Sequence, residues 1–300
     1  MRVVVSGASG LIGRHLVRHL REQGHEVVTL VRREPRGPGE VPWDPAAGRL
    51  DPARLGPVDG AVNLSGAGVG DHRWTDAHKQ LVLSSRVDST RTLVRALLSL
   101  ETAPRVLVNA SAIGAYGDAG EAVLTEDAPW GTDFLAEVVA RWEEATAPAA
   151  EAGVRVALAR TGLLADPGGG AFGRLLTLFR LGLGGPLGDG RHWWSLISTP
   201  DEVAALTFLL EQPVSGPVNL ACPAPARNAE VTRALGRALH RPALLTVPRP
   251  ALRLALGEFS EQVLASQRVV PRALLDAGFR FQHPDAVSIA GWLTGARPGG

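Results

Sequence analysis

The opening stretch Val3-Val4-Val5-Ser6-Gly7-Ala8-Ser9-Gly10-Leu11-Ile12-Gly13 sets an apolar strand pattern directly before a GxxGxxG turn that opens a helix. A helical pattern follows from Leu11 to Gln23, then a second apolar run from Val27 to Val31. The order is strand, glycine turn, helix, strand. An ordinary glycine loop is the competing reading, and the position of the turn between strand and helix argues against it. The first glycine permits the tight turn, the second lets backbone N–H groups approach a pyrophosphate, and the third lets helix and strand pack closely, while the helix N-terminus attracts the anion. The turn points to a dinucleotide.

The same alternation continues downstream. Apolar runs at Gly60 to Leu64, Val106 to Ala110, Val154 to Ala159 and Val218 to Ala221 are separated by helical patterns at Asp76 to Leu100, Thr132 to Ala152 and Pro200 to Gln212. Continuous apolar strands are covered on both faces, which is the sequence form of a parallel sheet between helices. The predicted fold class is α/β, a doubly wound parallel (Rossmann) sheet with a small, mostly helical C-terminal lobe. Residues 1–165, with a returning strand near 217–221, form the nucleotide-binding domain in this reading. Residues 166–300 form a loop-rich and helical substrate lobe over the carboxyl edge of the sheet. Glycine and proline dominate Pro167 to Gly173 and Leu181 to Gly190, read here as loops, and helical patterns return at Ala229 to Leu239, Pro250 to Ser266 and Pro271 to Ala277.

The second strand ends at Val31 and is followed by Arg32 and Arg33, where an NAD-selective protein offers an acidic residue to the ribose hydroxyls. A guanidinium suits the 2′-phosphate of NADP, since it forms paired charge-assisted hydrogen bonds with phosphate oxygens. Two solvated arginines at a strand end are the alternative. After Gly60 to Leu64 come Ser65-Gly66-Ala67-Gly68, small residues that let backbone pass beside an adenine ribose and diphosphate.

Charge excludes other classes of partner. The 31 Lys+Arg nearly balance 30 Asp+Glu over 300 residues, so no field favours nucleic acid or an anionic membrane. No apolar run approaches the roughly 18 to 20 residues of a bilayer span, and no secretion signal precedes the first strand. Cys222 is the single cysteine, which excludes an intrachain disulfide and fits a cytoplasmic protein. His15 and His19 have metal-like spacing without a third ligand nearby, so no metal is expected.

Together, GASGLIG, NLSGAG followed by Arg73-Trp74, Ser85-Arg86, SAIGAYGD at Ser111 to Asp118, FLAEVVARWE at Phe134 to Glu143, Arg160-Thr161-Gly162 and FRLGLGGPLGDG at Phe179 to Gly190 resemble the SDR39U1-type epimerase-family proteins. That branch belongs to the extended short-chain dehydrogenases/reductases, and the likeness runs almost end to end, into SQRVVPRALLDAGFRFQHPD at Ser266 to Asp285. The resemblance implies an NADP(H)-binding Rossmann domain with a small C-terminal substrate lobe; it does not name the small-molecule substrate. Carried over by position, it implies that Gly7, Ser9, Gly10, Leu11 and Ile12 meet the diphosphate, Arg32 the 2′-phosphate, and Leu64 and Ser65 the adenosine, with Arg86 a further contact. One position departs from the branch: Leu81 stands where a glutamate is usual five residues before Arg86, which removes an ion pair that would hold the arginine.

Ordinary members of the superfamily use YxxxK, in which the tyrosine moves the substrate proton and the lysine lowers its pKa. That motif cannot exist here. Tyr116 is the only tyrosine and Lys79 the only lysine; four residues past Tyr116 is Gly120, and four before Lys79 is Thr75. Phe134 and Val138 occupy the positions where the pair belongs. The remaining catalytic candidates are Ser111, at the end of the Val106 to Ala110 strand, and Tyr116, which otherwise shapes the substrate site. Asp118, Glu126 and Glu137 read as exposed carboxylates, and His192, beside Trp193 and Trp194, as a pocket or surface-loop residue. Two functions remain: an NADP(H)-dependent oxidoreductase or epimerase acting on a small carbonyl or sugar-nucleotide-like substrate without YxxxK, or a non-catalytic NADP(H)-binding sensor or scaffold.

Overall fold

The computed structural model describes residues 1–296. In its first half, chain order gives β1 (Arg2–Ser6), α1 (Leu11–Glu22), β2 (Glu26–Val31), β3 (Glu40–Asp44), β4 (Arg49–Leu50), β5 (Gly60–Asn63), α2 (Asp76–Leu98), β6 (Val106–Ala112), β7 (Val123–Leu124), α3 (Phe134–Glu144) and α4 (Ala147–Glu151). Then follow β8 (Arg155–Thr161), β9 (Leu163–Ala165), α5 (Gly170–Arg180), β10 (Trp193–Trp194), β11 (Leu196–Ser198), α6 (Thr199–Glu211), β12 (Gly216–Leu220), β13 (Ala226–Arg227) and α7 (Asn228–Ala238). The tail adds α8 (Arg249–Leu256), α9 (Phe259–Leu264), β14 (Arg268–Val269), α10 (Arg272–Asp276) and α11 (Ala286–Thr294).

Eight strands form one sheet in the order β12-β8-β6-β5-β1-β2-β3-β4. β1 pairs parallel with both β2 and β5, β2 with β3, and β5 with β6, while β3 and β4 are antiparallel. The fold is α/β and doubly wound. The chain leaves β1 in one direction through β2 and β3, and from β5 it builds outward in the other, so the order reverses between β1 and β5. Ligands of open α/β sheets bind at the carboxyl ends flanking such a reversal.

The chain divides into two compact units that interleave along the sequence: 1–112 with 137–160 and 203–218, and 113–136 with 161–202 and 219 onward. The first unit carries most of the sheet. Val3, Val4 and Val5 are fully buried, as are Ala61 and Val62, because helices cover both faces. Leu93, Val94 and Leu97 of α2 close one side of a core with Val28, Leu30, Val41, Trp43 and Leu107. In β3, Val41 and Trp43 are buried while Glu40, Pro42 and Asp44 are half-buried, an alternating strand pattern that the continuous-run reading passed over. Thr75 caps α2 by accepting from the His78 N–H, and Asp76 adds a negative charge to its first turn.

The second unit has its own core, in which Phe172, Leu176 and Phe179 of α5 meet Val231 and Leu235 of α7 and Ile289 and Leu293 of α11, with Cys222 buried among them. Residues 170–173, expected to be loop, are thus the first turn of a helix that runs on to Arg180. Glycine there lowers helix propensity, but an i, i+4, i+7 apolar stripe supplies burial that outweighs it. The pattern expected to run unbroken from Thr132 to Ala152 is interrupted at Ala145–Thr146, because Pro148 starts the new helix α4. Asp201 fastens the C-terminal segment to the start of α6: its carboxylate accepts from the N–H groups of Gln282 and His283 and from Ser198 Oγ. No helix of the described residues is long and apolar enough to cross a membrane.

Candidate cofactor site and active site

The three glycines of the first turn serve different ends. Gly7 has φ +66°, and a Cβ on it would stand 2.6 Å from the Leu64 carbonyl oxygen. A Cβ on Gly13 would stand 2.2 Å from the Gly7 carbonyl oxygen. Both positions are closed by the chain itself. Gly10 has ordinary backbone angles, and its Cβ would meet only the Gly7 carbonyl oxygen, at 3.1 Å. Its missing side chain leaves open space over the helix end. Gly10 is also the N-cap of the twelve-residue α1 and offers no side-chain cap; the first helical bond is Arg14 N–H to the Gly10 carbonyl, at 3.1 Å. The N–H groups of Leu11, Ile12 and Gly13 therefore precede the helix's own acceptors, which is a cradle of the kind that receives a diphosphate.

Buried polar groups fix the neighbouring strand ends. Ser65 Oγ donates to Ser6 Oγ at 2.9 Å, and Ser6 Oγ to Asn63 Oδ1 at 2.5 Å. Asn63 Nδ2 in turn donates to Thr90 Oγ1 at 2.8 Å and to Asn109 Oδ1 at 2.7 Å. The network locks the carboxyl ends of β1 and β5 to β6 and α2, and Leu64 and Ser65 stand beside the glycine turn.

The two arginines after β2 differ. Arg33 forms a bidentate pair with Glu40 of β3, at 2.8 and 2.7 Å, and this hydrogen bonding pulls the Glu40 carboxyl down to about 2. Arg32 is exposed and has no ion pair among the described residues. A cavity of about 380 Å³ opens beside it, walled by Pro42, Trp43 and Asp51. Of these two, only the Arg32 fork is open to a ligand.

Arg86 lies half-buried on α2. Its Nη1 donates to the Ala67 and Val82 carbonyl oxygens, both at 2.9 Å, and its guanidinium stacks 5.0 Å from the Trp142 ring. Burial pushes its pKa down to about 10. Leu81 is 50% exposed, so a glutamate at that position would stand in solvent, and the guanidinium is held without it.

Of the catalytic candidates, Ser111 lies within β6 and is buried. It donates to Glu143 Oε1 at 2.5 Å, and the same carboxylate accepts from Arg160 Nε and Nη2, each at 2.9 Å. Tyr116, also buried, donates to Asn219 Oδ1 at 2.7 Å, while Asn219 Nδ2 reaches the Val270 carbonyl oxygen. Phe134 and Val138 stand one turn apart on α3, the first half-buried and the second buried. Asp118 accepts from the Gly120 and Ser266 N–H groups, and Glu126 from those of Asn219 and Ala273, so both brace backbone. Glu137 pairs with Arg141 on the surface. His192 is buried with neither ring nitrogen bonded among the described residues, and burial lowers its pKa.

Glu143, Arg160 and Trp142 escaped the sequence reading of the site. The signal was present, since Glu143 follows Val139 by four residues and so interrupts the buried stripe of α3, while Arg160 extends the apolar run Val154 to Ala159 within β8. Opposite charges on two apolar stripes announce a buried pair.

Residues 3–221 match the family model described as NAD dependent epimerase/dehydratase family, and residues 247–290 match a domain of unknown function, DUF1731. An epimerase family protein of Mycobacterium bovis is 46% identical over 299 residues, covering 99% of this chain and 98% of its own. Human epimerase family protein SDR39U1 is 35% identical over 290 residues, covering 95% and 97%. The crystal structure of human SDR39U1 (isoform 2) with NADPH superposes with a TM-score of 0.89 at 33% identity, covering 98% of this chain and 99% of that one.

Proposed function

Because the chain belongs to the NAD dependent epimerase/dehydratase family, we propose that it binds NADP(H) and acts as an oxidoreductase or epimerase on a small carbonyl or sugar-nucleotide-like compound. The observation that carries the cofactor choice is the contrast between Arg33, closed by Glu40, and Arg32, open at the end of β2. The relative crystallised with NADPH supports the same choice. Gly7, Ser9, Gly10, Leu11 and Ile12 would hold the diphosphate at the uncapped helix end, Arg32 the 2′-phosphate, and Leu64 and Ser65 the adenosine, with Arg86 a further contact to the nucleotide. When bound, the nicotinamide supplies a hydride donor or acceptor.

Ser111 gives its proton to Glu143, so toward a substrate its oxygen is an acceptor. It would orient a substrate hydroxyl by receiving that group's hydrogen bond. Tyr116, with its phenol committed to Asn219, shapes the segment after β6 and would give up that bond to donate elsewhere. That both hydroxyls are internally engaged favours one second reading, an NADP(H)-binding sensor or scaffold without turnover. A panel of carbonyl compounds with NADPH separates the two: turnover of any supports the enzyme, and none with tightly bound cofactor supports the sensor.

Titration calorimetry is expected to show tighter binding of NADPH than NADH. Loss of a hydrogen bond to a charged group costs about 1.5 to 3 kcal/mol, so Arg32→Ala should weaken NADPH about tenfold or more and leave NADH nearly unchanged. Equal affinity of the parent protein for both would refute the assignment.

A further inference from the structure

We propose that Trp142 is a positioning residue for Arg86: its indole face holds the guanidinium without neutralising it, leaving the charge available to a phosphate of the bound nucleotide. The inference rests on the cofactor reading above and adds to it a residue 56 positions away in sequence.

Arg86 packs against two neighbours. One is the backbone after β5, where a Cβ on Gly66 would come within 3.1 Å of the guanidinium carbon. The other is the Trp142 ring, 5.0 Å away. The two carbonyl bonds occupy Nη1 alone, so Nε and Nη2 keep their hydrogens for a further acceptor. No carboxylate pairs with Arg86 among the described residues, although burial makes its charge costly.

The choice of partner matters for function. A carboxylate would close the guanidinium fork with two hydrogen bonds and cancel its charge, as Glu40 does to Arg33 in the same unit. An aromatic face offsets part of the desolvation cost through its quadrupole and touches only the flat of the ion, so it takes none of the N–H donors. The indole is itself fixed, because Trp142 Nε1 donates to Thr90 Oγ1 at 3.1 Å. That hydroxyl also receives Asn63 Nδ2 from the end of β5. One buried network thus sets both the strand ends around the glycine turn and the ring beneath Arg86.

The test is a double-mutant cycle read as NADPH dissociation constants, with Trp142→Leu and Trp142→Phe each made alone and with Arg86→Gln. Trp142→Leu should weaken binding about tenfold, the worth of a desolvated cation–π contact, and Trp142→Phe about threefold, since phenyl retains a weaker ring face. In the Arg86→Gln background either substitution should change affinity by less than about twofold, because the charge it positions is gone. A merely structural tryptophan would give losses that multiply, and multiplying losses, or parental affinity in Trp142→Leu, overturn the proposal. If the leucine variant does not fold by circular dichroism, the phenylalanine cycle decides by the same rule. A parent protein that binds neither NADPH nor NADH refutes the cofactor reading and this inference together. A parent that binds, with an additive cycle, refutes the role of Trp142 alone.

Discussion

Glu143→Ala is expected to destabilise the protein by about 3 to 5 kcal/mol, the usual cost of removing one member of a buried ion pair. The carboxylate accepts from Arg160 twice and from Ser111 once, and the side chains of Arg160 and Glu143 are only 4% and 8% exposed. Alanine would strip the carboxylate from a charge that stays in the interior and would leave the Ser111 hydroxyl seeking another acceptor. The companion Glu143→Met with Arg160→Met removes both charges and fills similar volume, so it should recover most of the loss, because a buried pair replaced by apolar groups is commonly near neutral. Urea midpoints at pH 7 measure both. A Glu143→Ala variant within about 1 kcal/mol of the parent would show that Arg160 needs no carboxylate there. The same variant frees Ser111 from its acceptor, so any change in substrate handling should track Ser111→Ala.

The features legible from sequence are those imposed by local sterics. Gly7 and Gly13 could be read because backbone closes around them, and the strand before them because it is buried on both faces. Arg32 could be proposed as a phosphate reader from its place after β2, yet nothing local separated it from Arg33. That distinction depends on Glu40 arriving in β3, and β3 itself was hidden by its short alternation and by Pro42. Helix α5 was hidden by glycine composition, although Phe172, Leu176 and Phe179 carried the correct period. Ser111 was legible as a candidate, but its hydrogen-bond direction was not, because the acceptor lies on α3, 32 residues later. Trp142 beneath Arg86 is likewise a product of tertiary packing. Contacts made across the sheet leave, at most, a polar residue on an apolar stripe as their trace.

A second buried carboxyl makes the stability of the protein depend on pH in an unusual direction. Glu202, in the first turn of α6, is fully buried. One oxygen accepts from Thr161 Oγ1 at 2.7 Å, and the other has no partner among the described residues. Burial pushes its pKa from 4.5 up to about 8, against the lowering effect of the threonine bond. Below pH 4.5 the carboxyl is protonated in both folded and unfolded chains, and its contribution is fully retained. Between 4.5 and 8 the unfolded chain releases the proton while the folded chain keeps it, so stability falls as pH rises; above about 8 both forms are ionised and the fall stops. Integrated over that window the loss is about 5 kcal/mol, of which about 3 is reached by pH 7. Glu202→Gln keeps an oxygen for Thr161 and never ionises, but buries an amide N–H₂ without an acceptor, at a cost of about 1 to 3 kcal/mol. The parent should therefore be the more stable protein at pH 4 and the glutamine variant at pH 8 and above, with the two curves crossing between. Thermal midpoints of both proteins from pH 4 to 9 give the result directly, and parallel curves would mean that Glu202 ionises in the folded protein as readily as in the unfolded chain.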